Sequence, residues 1–402
     1  MRPLFTALAL ICALAQLFPS DLAARPRTLE QLKAIMQLVQ PIPLPGPIVS
    51  LYRPRYDTVG EAELKMTGNE PVFIALLPNG AHIYPQQYMV WHQVVNELVD
   101  DRAYAITYCP ITGTLMAYDA YMDGMNLIFD VEGHETEGNF YGFLYDGNSV
   151  LMDRNTGSLW LQETGVAFDG QLVGKGMPLI PVFWTTWDAA KRVYPKAKVL
   201  SRPRGRRPYG RDPYGSYLRE DTYYDNDSLA YPIQKLDRRF PKKTRMYCLE
   251  IDRLLMAIDI NYVKKEGAVN FFMGSVPLLA VYEPRLGTIR VYNRQIWADP
   301  FLFVMRNGKL TDLATGSVWD AATGKAVGGN MAGSSMKEYF GGYSMWFAWA
   351  SINPETLAIP GPGEVPKDLL VPAPPGVDAQ GNFVDPPRER PAEDNLPGSP
   401  RW

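Results

Sequence analysis

The pentapeptide Thr156-Gly157-Ser158-Leu159-Trp160 returns later in the chain as Thr315-Gly316-Ser317-Val318-Trp319. Each copy is followed by a Thr-Gly pair, Thr164-Gly165 and Thr323-Gly324, and then by a tryptophan-bearing segment and a proline. Upstream, Tyr104 to Asp119 can be laid without a gap on Ala268 to Glu283. That register places Leu115 on Leu279, Tyr118 on Tyr282 and Cys109 on Met273. Self-similarity at this scale implies a diverged tandem duplication whose copies either share a core or pack as pseudo-symmetric halves. The segments between the echoes alternate apolar and polar residues and are punctuated by Gly, Pro and Asn. The expected fold class is therefore α+β and strand-rich, two related units with a few short helices.

Within that frame the expected organisation is a first repeat with a basic loop over 70–244 and a second repeat over 245–357. Val72 to Leu77 and Ala81 to Tyr84 read as strands about an Asn79-Gly80 turn. Tyr88, Trp91, Val94, Val95 and Leu98 share one face of a helix ending near Asp100. Phe140 to Tyr145, Ser149 to Asp153 and Ser158 to Leu161 read as strands, and Thr185 to Val193 as a helix closed by Pro195. Ser201 to Arg211 is a loop rich in arginine, proline and glycine. A net charge of −3 gives no general pull toward nucleic acid, and the loop lacks a stacking motif, so it reads as solvated.

Residues 1–24 have the form of a secretory signal peptide: Arg2, an apolar run from Pro3 to Phe18, and small residues at Ala23 and Ala24. The run is shorter than the roughly 20 residues of a membrane span. The expectation is a secreted or periplasmic protein with no stable membrane insertion of the mature chain, the alternative being an uncleaved anchor. Residues 25–69 carry a helix capped by Thr28 and a linker extended by Pro41, Pro43, Pro45 and Pro47. Residues 358–402 form a tail whose proline content opposes ordered packing.

The chain has three cysteines, and Cys12 falls in the signal segment. Cys109 ends a strand before Pro110 and a Gly113 turn, in Thr107-Tyr108-Cys109-Pro110-Ile111-Thr112-Gly113-Thr114. His92 lies on the preceding helix, and imidazole is a common activator of a thiol. Cys109 and His92 are therefore the candidate site. They are read as ligands for a soft metal such as copper, or a small ligand, or alternatively as nucleophile and base of a thiol-dependent enzyme. The competing reading is an inert buried cysteine beside a histidine bonded to backbone. With His82, His92 and His134 as the histidines, a closed zinc site is disfavoured, and a Cys109–Cys248 bridge stays open.

Other constellations are weaker. Glu132, Glu135 and Glu137 surround His134 in a polar insertion that reads as solvated. Asp225-Asn226-Asp227-Ser228 lacks the glycine and terminal glutamate of a calcium loop. Exposed aromatics such as Trp184 and Trp187 would instead suit a non-catalytic carbohydrate-binding module.

Trp91-His92-Gln93-Val94-Val95-Asn96, the Cys109 segment, Val150 to Gln162, Thr185-Thr186-Trp187, Val199-Leu200-Ser201 and Tyr209-Gly210-Arg211-Asp212-Pro213-Tyr214 together resemble the DUF3179 family, a family of unknown function. The resemblance runs from Glu70 to Phe340 and places His92 and Cys109 at motif positions. The family pattern often carries a second cysteine three residues on. Here that position is Thr112, which leaves no CxxC redox couple.

Overall fold

The computed structural model describes residues 28–44, 46–205, 207–298, 300–365 and 367. The expected signal segment and residues 368–402 of the expected tail lie outside the described residues. The fold is α+β and strand-rich, built of two related units with six short α-helices among the described residues. No helix among them is long and apolar enough to cross a membrane.

Helix α1 (Leu29–Ala34) starts with Thr28 and Gln31 capping each other. The proline-spaced segment is extended, as expected. It also pairs: β1 (Gln40–Leu44) joins a later strand, and β2 (Leu51–Tyr52), β3 (Tyr56–Asp57) and α2 (Val59–Glu63) follow. The first copy then contains β4 (Pro71–Leu77), β5 (Gly80–Pro85), α3 (Gln86–His92), β6 (Val94–Val99), β7 (Arg102–Cys109) and β8 (Thr114–Asp119). It continues through β9 (Phe129–Val131), β10 (Gly133–Thr136), β11 (Asn139–Tyr145), β12 (Asn148–Asp153) and β13 (Leu159–Leu161). It closes with β14 (Val182–Thr186), α4 (Trp187–Val193) and β15 (Lys198–Leu200).

The second copy repeats the order. It has β16 (Arg245–Ile251), β17 (Leu254–Asp259), α5 (Ile260–Glu266), β18 (Ala268–Met273), β19 (Val276–Glu283) and β20 (Thr288–Asn293). Then come β21 (Phe303–Arg306), β22 (Lys309–Asp312), β23 (Val318–Asp320), β24 (Gly342–Met345), α6 (Trp346–Ile352) and β25 (Leu357–Ile359). The last strand pairs with β17, and Val365 donates to the Asn270 carbonyl. Ordered chain thus extends past 358, the start expected for the tail.

Two expectations need correction. The helix read from Tyr88 to Asp100 stops at His92, because Gln93 takes a left-handed φ of 59° and β6 begins at Val94. The apolar spacing fitted a helix, but the β-branched pair Val94-Val95 belongs to a ladder with Ile106 and Thr107. The repeat register also differs from the gapless one. Asn96 brackets the main chain of Phe129 at 2.9 and 2.7 Å, and Asn270 does the same to Phe303 at 2.7 and 2.9 Å. Tyr118 donates to the Gln162 carbonyl at 2.9 Å, and Tyr292 to that of Ala321 at 2.9 Å.

Residues 94–119 therefore match 268–293. Cys109 falls on Glu283, not Met273; Leu115 falls on Ile289, and Tyr118 on Tyr292. The gapless register had slipped by an even number of residues, which preserves which side chains face inward, so the alternation could not expose the error. Gly165 and Gly324 confirm the new one. A β-carbon there would lie 2.4 Å from the Tyr118 ring and 2.7 Å from the Tyr292 ring, each at positive φ.

The copies share one interior. An eight-stranded sheet in the order β2-β6-β7-β8-β24-β16-β17-β25 carries strands of both, joined where Leu115 meets Tyr343. Phe73, Tyr108 and Trp184 pack in the same apolar cluster as Tyr247, Phe271 and Tyr343. The spacing between copies is 174 positions through β9 and 159 from Asp153 onward, so the first copy carries 15 extra residues. These form the β10–β11 hairpin, the polar insertion around His134.

Candidate functional site

Cys109 ends β7 fully buried, among Ile42, Ile111 and Leu144. Ser149 Oγ lies 3.4 Å from its sulfur and the Gly147 carbonyl 3.9 Å. Both neighbours come from the end of the insertion. In the second copy Glu283 occupies this place and its carboxylate accepts from the amides of Arg285 and Leu286, at 2.9 and 3.0 Å, bracing the turn. Cys109 and Cys248 are both free thiols, so no bridge joins them.

A polar cluster specific to the first copy surrounds this turn. Asn148 donates to Thr112 at 3.0 Å and to Gln162 at 2.8 Å, and Gln162 donates to Thr107 at 2.8 Å. The second copy has Leu286, Ala321 and Val281 in place of Thr112, Gln162 and Thr107. Gln93 accepts from Ser149 at 2.9 Å while holding positive φ, where the second copy has Gly267 at φ 78°. Such a conformation costs a non-glycine residue on the order of 1 kcal/mol. Gln93→Ala keeps the strain and loses the hydrogen bond, so it should destabilise by about 2 kcal/mol, whereas Gln93→Gly should fall within about 1 kcal/mol of wild type. Urea unfolding of the two variants checks this ordering.

His92 is engaged elsewhere. Its Nδ1 donates to the Val49 carbonyl at 2.6 Å, and its Nε2 accepts from the Tyr209 hydroxyl at 2.7 Å. Burial lowers its pKa, which keeps the ring neutral for that pattern. No hydrogen bond joins His92 to Cys109. Among the described residues no three His, Cys, Asp or Glu side chains are gathered as a metal would require.

The segment between the copies, 201–244, has no strand or helix among its described residues and is tied down through its aromatic motif. Tyr209 is held by His92, and Asp212 by Gln86 at 2.7 Å, by Tyr224 at 2.8 Å and by the Tyr214 amide at 2.8 Å. Trp184 and Trp187, expected as exposed aromatics, are 6% and 0% exposed. Both face core clusters, so they offer no stacking platform to a sugar. Glu135, Glu137 and His134 lie exposed on and beside β10, and the Asp225 carboxylate accepts from the amides of Asp221 and Thr222 in a turn.

Beside the Cys109 hairpin the strap over 201–244 roofs a cleft of about 300 Å³. Gly113 and Gly287, equivalent turn residues of the two copies, both reach it. Tyr217 and Tyr224, stacked at 3.8 Å, form one wall, and Lys243, Arg245 and Lys264 supply the charge. Among the described residues no carboxylate lines it. The Arg245 guanidinium lies 4.0 Å over the Trp184 ring and forms no ion pair among the described residues. Burial lowers Lys243 to about 8, although Asp225 and Asp227 pull it upward. The run Lys242-Lys243-Thr244-Arg245 was a visible charge cluster, whereas Lys264 joins it only through the fold.

No curated protein and no solved structure matches the chain. The family described as Protein of unknown function (DUF3179) matches residues 46–356. That span includes the first copy, the second copy as far as α6, the Cys109 hairpin and the strap between them, and the chain belongs to the DUF3179 family.

Proposed function

We propose that the protein binds a small anionic ligand in the cleft between the two repeat turns. The observation that carries this is the convergence of Lys243, Arg245 and Lys264 on a cavity whose lining, among the described residues, holds no acid. Like charges repel, and an anion in the cleft adds to the pull that Asp225 and Asp227 already exert on Lys243. Arg245 offers planar donors to a carboxylate or phosphate, and the tyrosine pair offers an aromatic wall. The volume, about 300 Å³, is at the small end of ligand cavities, which suits a ligand the size of a phosphate ester or an aromatic acid.

On this reading the Cys109 hairpin positions Gly113 at the cleft, and the thiol packs behind it. The apolar segment Pro3 to Phe18 supports an extracytoplasmic setting for the binding. Calorimetric titration with phosphate, sulfate and benzoate tests the proposal. At least one should bind saturably, and Lys264→Ala and Arg245→Gln should each weaken it about tenfold. Absence of binding by all three, or affinities unchanged in both variants, would sink it. Affinity should also fall as pH rises above about 8, where free Lys243 loses its charge.

A further inference from the structure

A second cleft, of about 450 Å³, is lined by Arg53, Asn79, His82, Glu97, Asp101 and Lys198. At its base Glu97, on β6, is 5% exposed. Its Oε1 accepts from Tyr56, and from Tyr84 at 2.7 Å, with His82 Nδ1 3.5 Å away. His82 Nε2 donates to Asn79 at 2.9 Å. Glu97 Oε2 makes no hydrogen bond among the described residues. Neither Arg53 nor Lys198 forms an ion pair among them.

The fold does not require this cluster. In the second copy the places of Glu97, His82 and Tyr84 are taken by Phe271, Met256 and Ile258, each 0% exposed, and that of Lys198 by Leu357. The same packing is satisfied there by hydrocarbon, which avoids the desolvation of a buried acid. One copy has kept polar groups at a position where an apolar set packs equally well, and those groups open on a cleft.

We propose that this cleft is a second binding site, for a small carboxylate whose charge Arg53 and Lys198 meet while Glu97 donates a hydrogen bond from Oε2. Burial pushes Glu97 up to about 8 against the pull of Lys198, so the acid carries its proton at neutral pH. Burial and Lys198 hold His82 down at about 4, so the ring is neutral. The groups facing Glu97 are then Tyr56 from β3, Tyr84 and His82 from β5, Lys198 from β15, and Arg53 and Asp101 at the rim. With Glu97 neutral, two cations and one anion leave a single positive charge, matched to a monoanion better than to phosphate.

The test uses acetate as probe and the full protein labelled with ¹³C at glutamate carboxyls, the Glu97 resonance being the one missing in Glu97→Gln. At pH 6.5 acetate should shift that resonance saturably, and above pH 8 its affinity should fall about tenfold per pH unit. Arg53→Ala/Lys198→Ala should keep the protonated Glu97 signal, showing an intact fold, and lose the shift. Glu97→Gln, which retains a neutral donor and is followed through its new side-chain amide signal, should bind acetate without the pH dependence. No shift at any acetate concentration, or an undiminished shift in the double variant, overturns the site. Tighter binding of inorganic phosphate than of acetate overturns the carboxylate assignment. Because the signal is local to Glu97, the outcome is independent of the cleft at Lys264.

Discussion

Between pH 6.5 and 8 the protein is expected to lose about 2 kcal/mol of unfolding free energy through Glu97 alone, and Glu97→Gln should abolish the loss. Glu97 titrates near 4.5 in the unfolded chain and near 8 when folded. Between those values the folded state binds more protons, so stability is full below the lower value and declines as pH rises through the higher. His82 works in the opposite sense. Its folded value of about 4 lies below the ordinary 6.5, so its contribution grows as pH rises through that interval. The two oppose each other up to pH 6.5, and above it His82 no longer offsets Glu97. Glutamine preserves the oxygen that accepts from Tyr56 and Tyr84, so the variant should fold. Urea midpoints at half-unit pH steps give the profile. A wild-type curve flat from 6.5 to 8, or an equal slope in Glu97→Gln, would refute the assignment.

Asp153→Ala and Asp312→Ala should each cost about 3–5 kcal/mol, the same amount within about 1 kcal/mol, and the costs should add in the double variant. Each aspartate is fully buried. Asp153 accepts from the Thr156 amide at 2.7 Å and from Trp160 Nε1 at 2.8 Å; Asp312 accepts from the Thr315 amide at 2.6 Å and from Trp319 Nε1 at 2.9 Å. Alanine strands an indole N–H and a turn amide away from water in either copy. Asparagine keeps one acceptor oxygen and should cost less than alanine. Guanidinium unfolding measures all five variants. A large loss in one copy beside a negligible one in the other would show that matched geometry does not mean matched energetics.

Several strand pairs and the doubled Thr-Gly-Ser-x-Trp turn were legible in the sequence, because each depends on contacts a few residues apart, whereas the insertion around His134 read as a solvated loop and is a paired hairpin. Asp153 and Trp160 are near neighbours in the chain, so their turn leaves a local trace. What escaped was set by distant contacts. The break at Gln93 rests on a backbone angle that a glutamine does not announce. His92 was read as a partner for Cys109, whereas its hydrogen-bond partner, Tyr209, lies 117 positions away. Neither cleft has a sequence signature. One joins Gly113 to Lys264, and the other joins Arg53 to Lys198. Glu97 lies within the stretch expected to be helical, and only the strand register turns it inward against Tyr84.

The shared interior also limits how the molecule can move. Clam-shell closure on a ligand needs two bodies with separate interiors and a hinge between them. Here Trp184 of one copy stands 6.2 Å from Tyr343 of the other inside a single cluster, so opening the halves would open the core itself. The strap over 201–244 is stapled to that same frame at His92–Tyr209 and Gln86–Asp212.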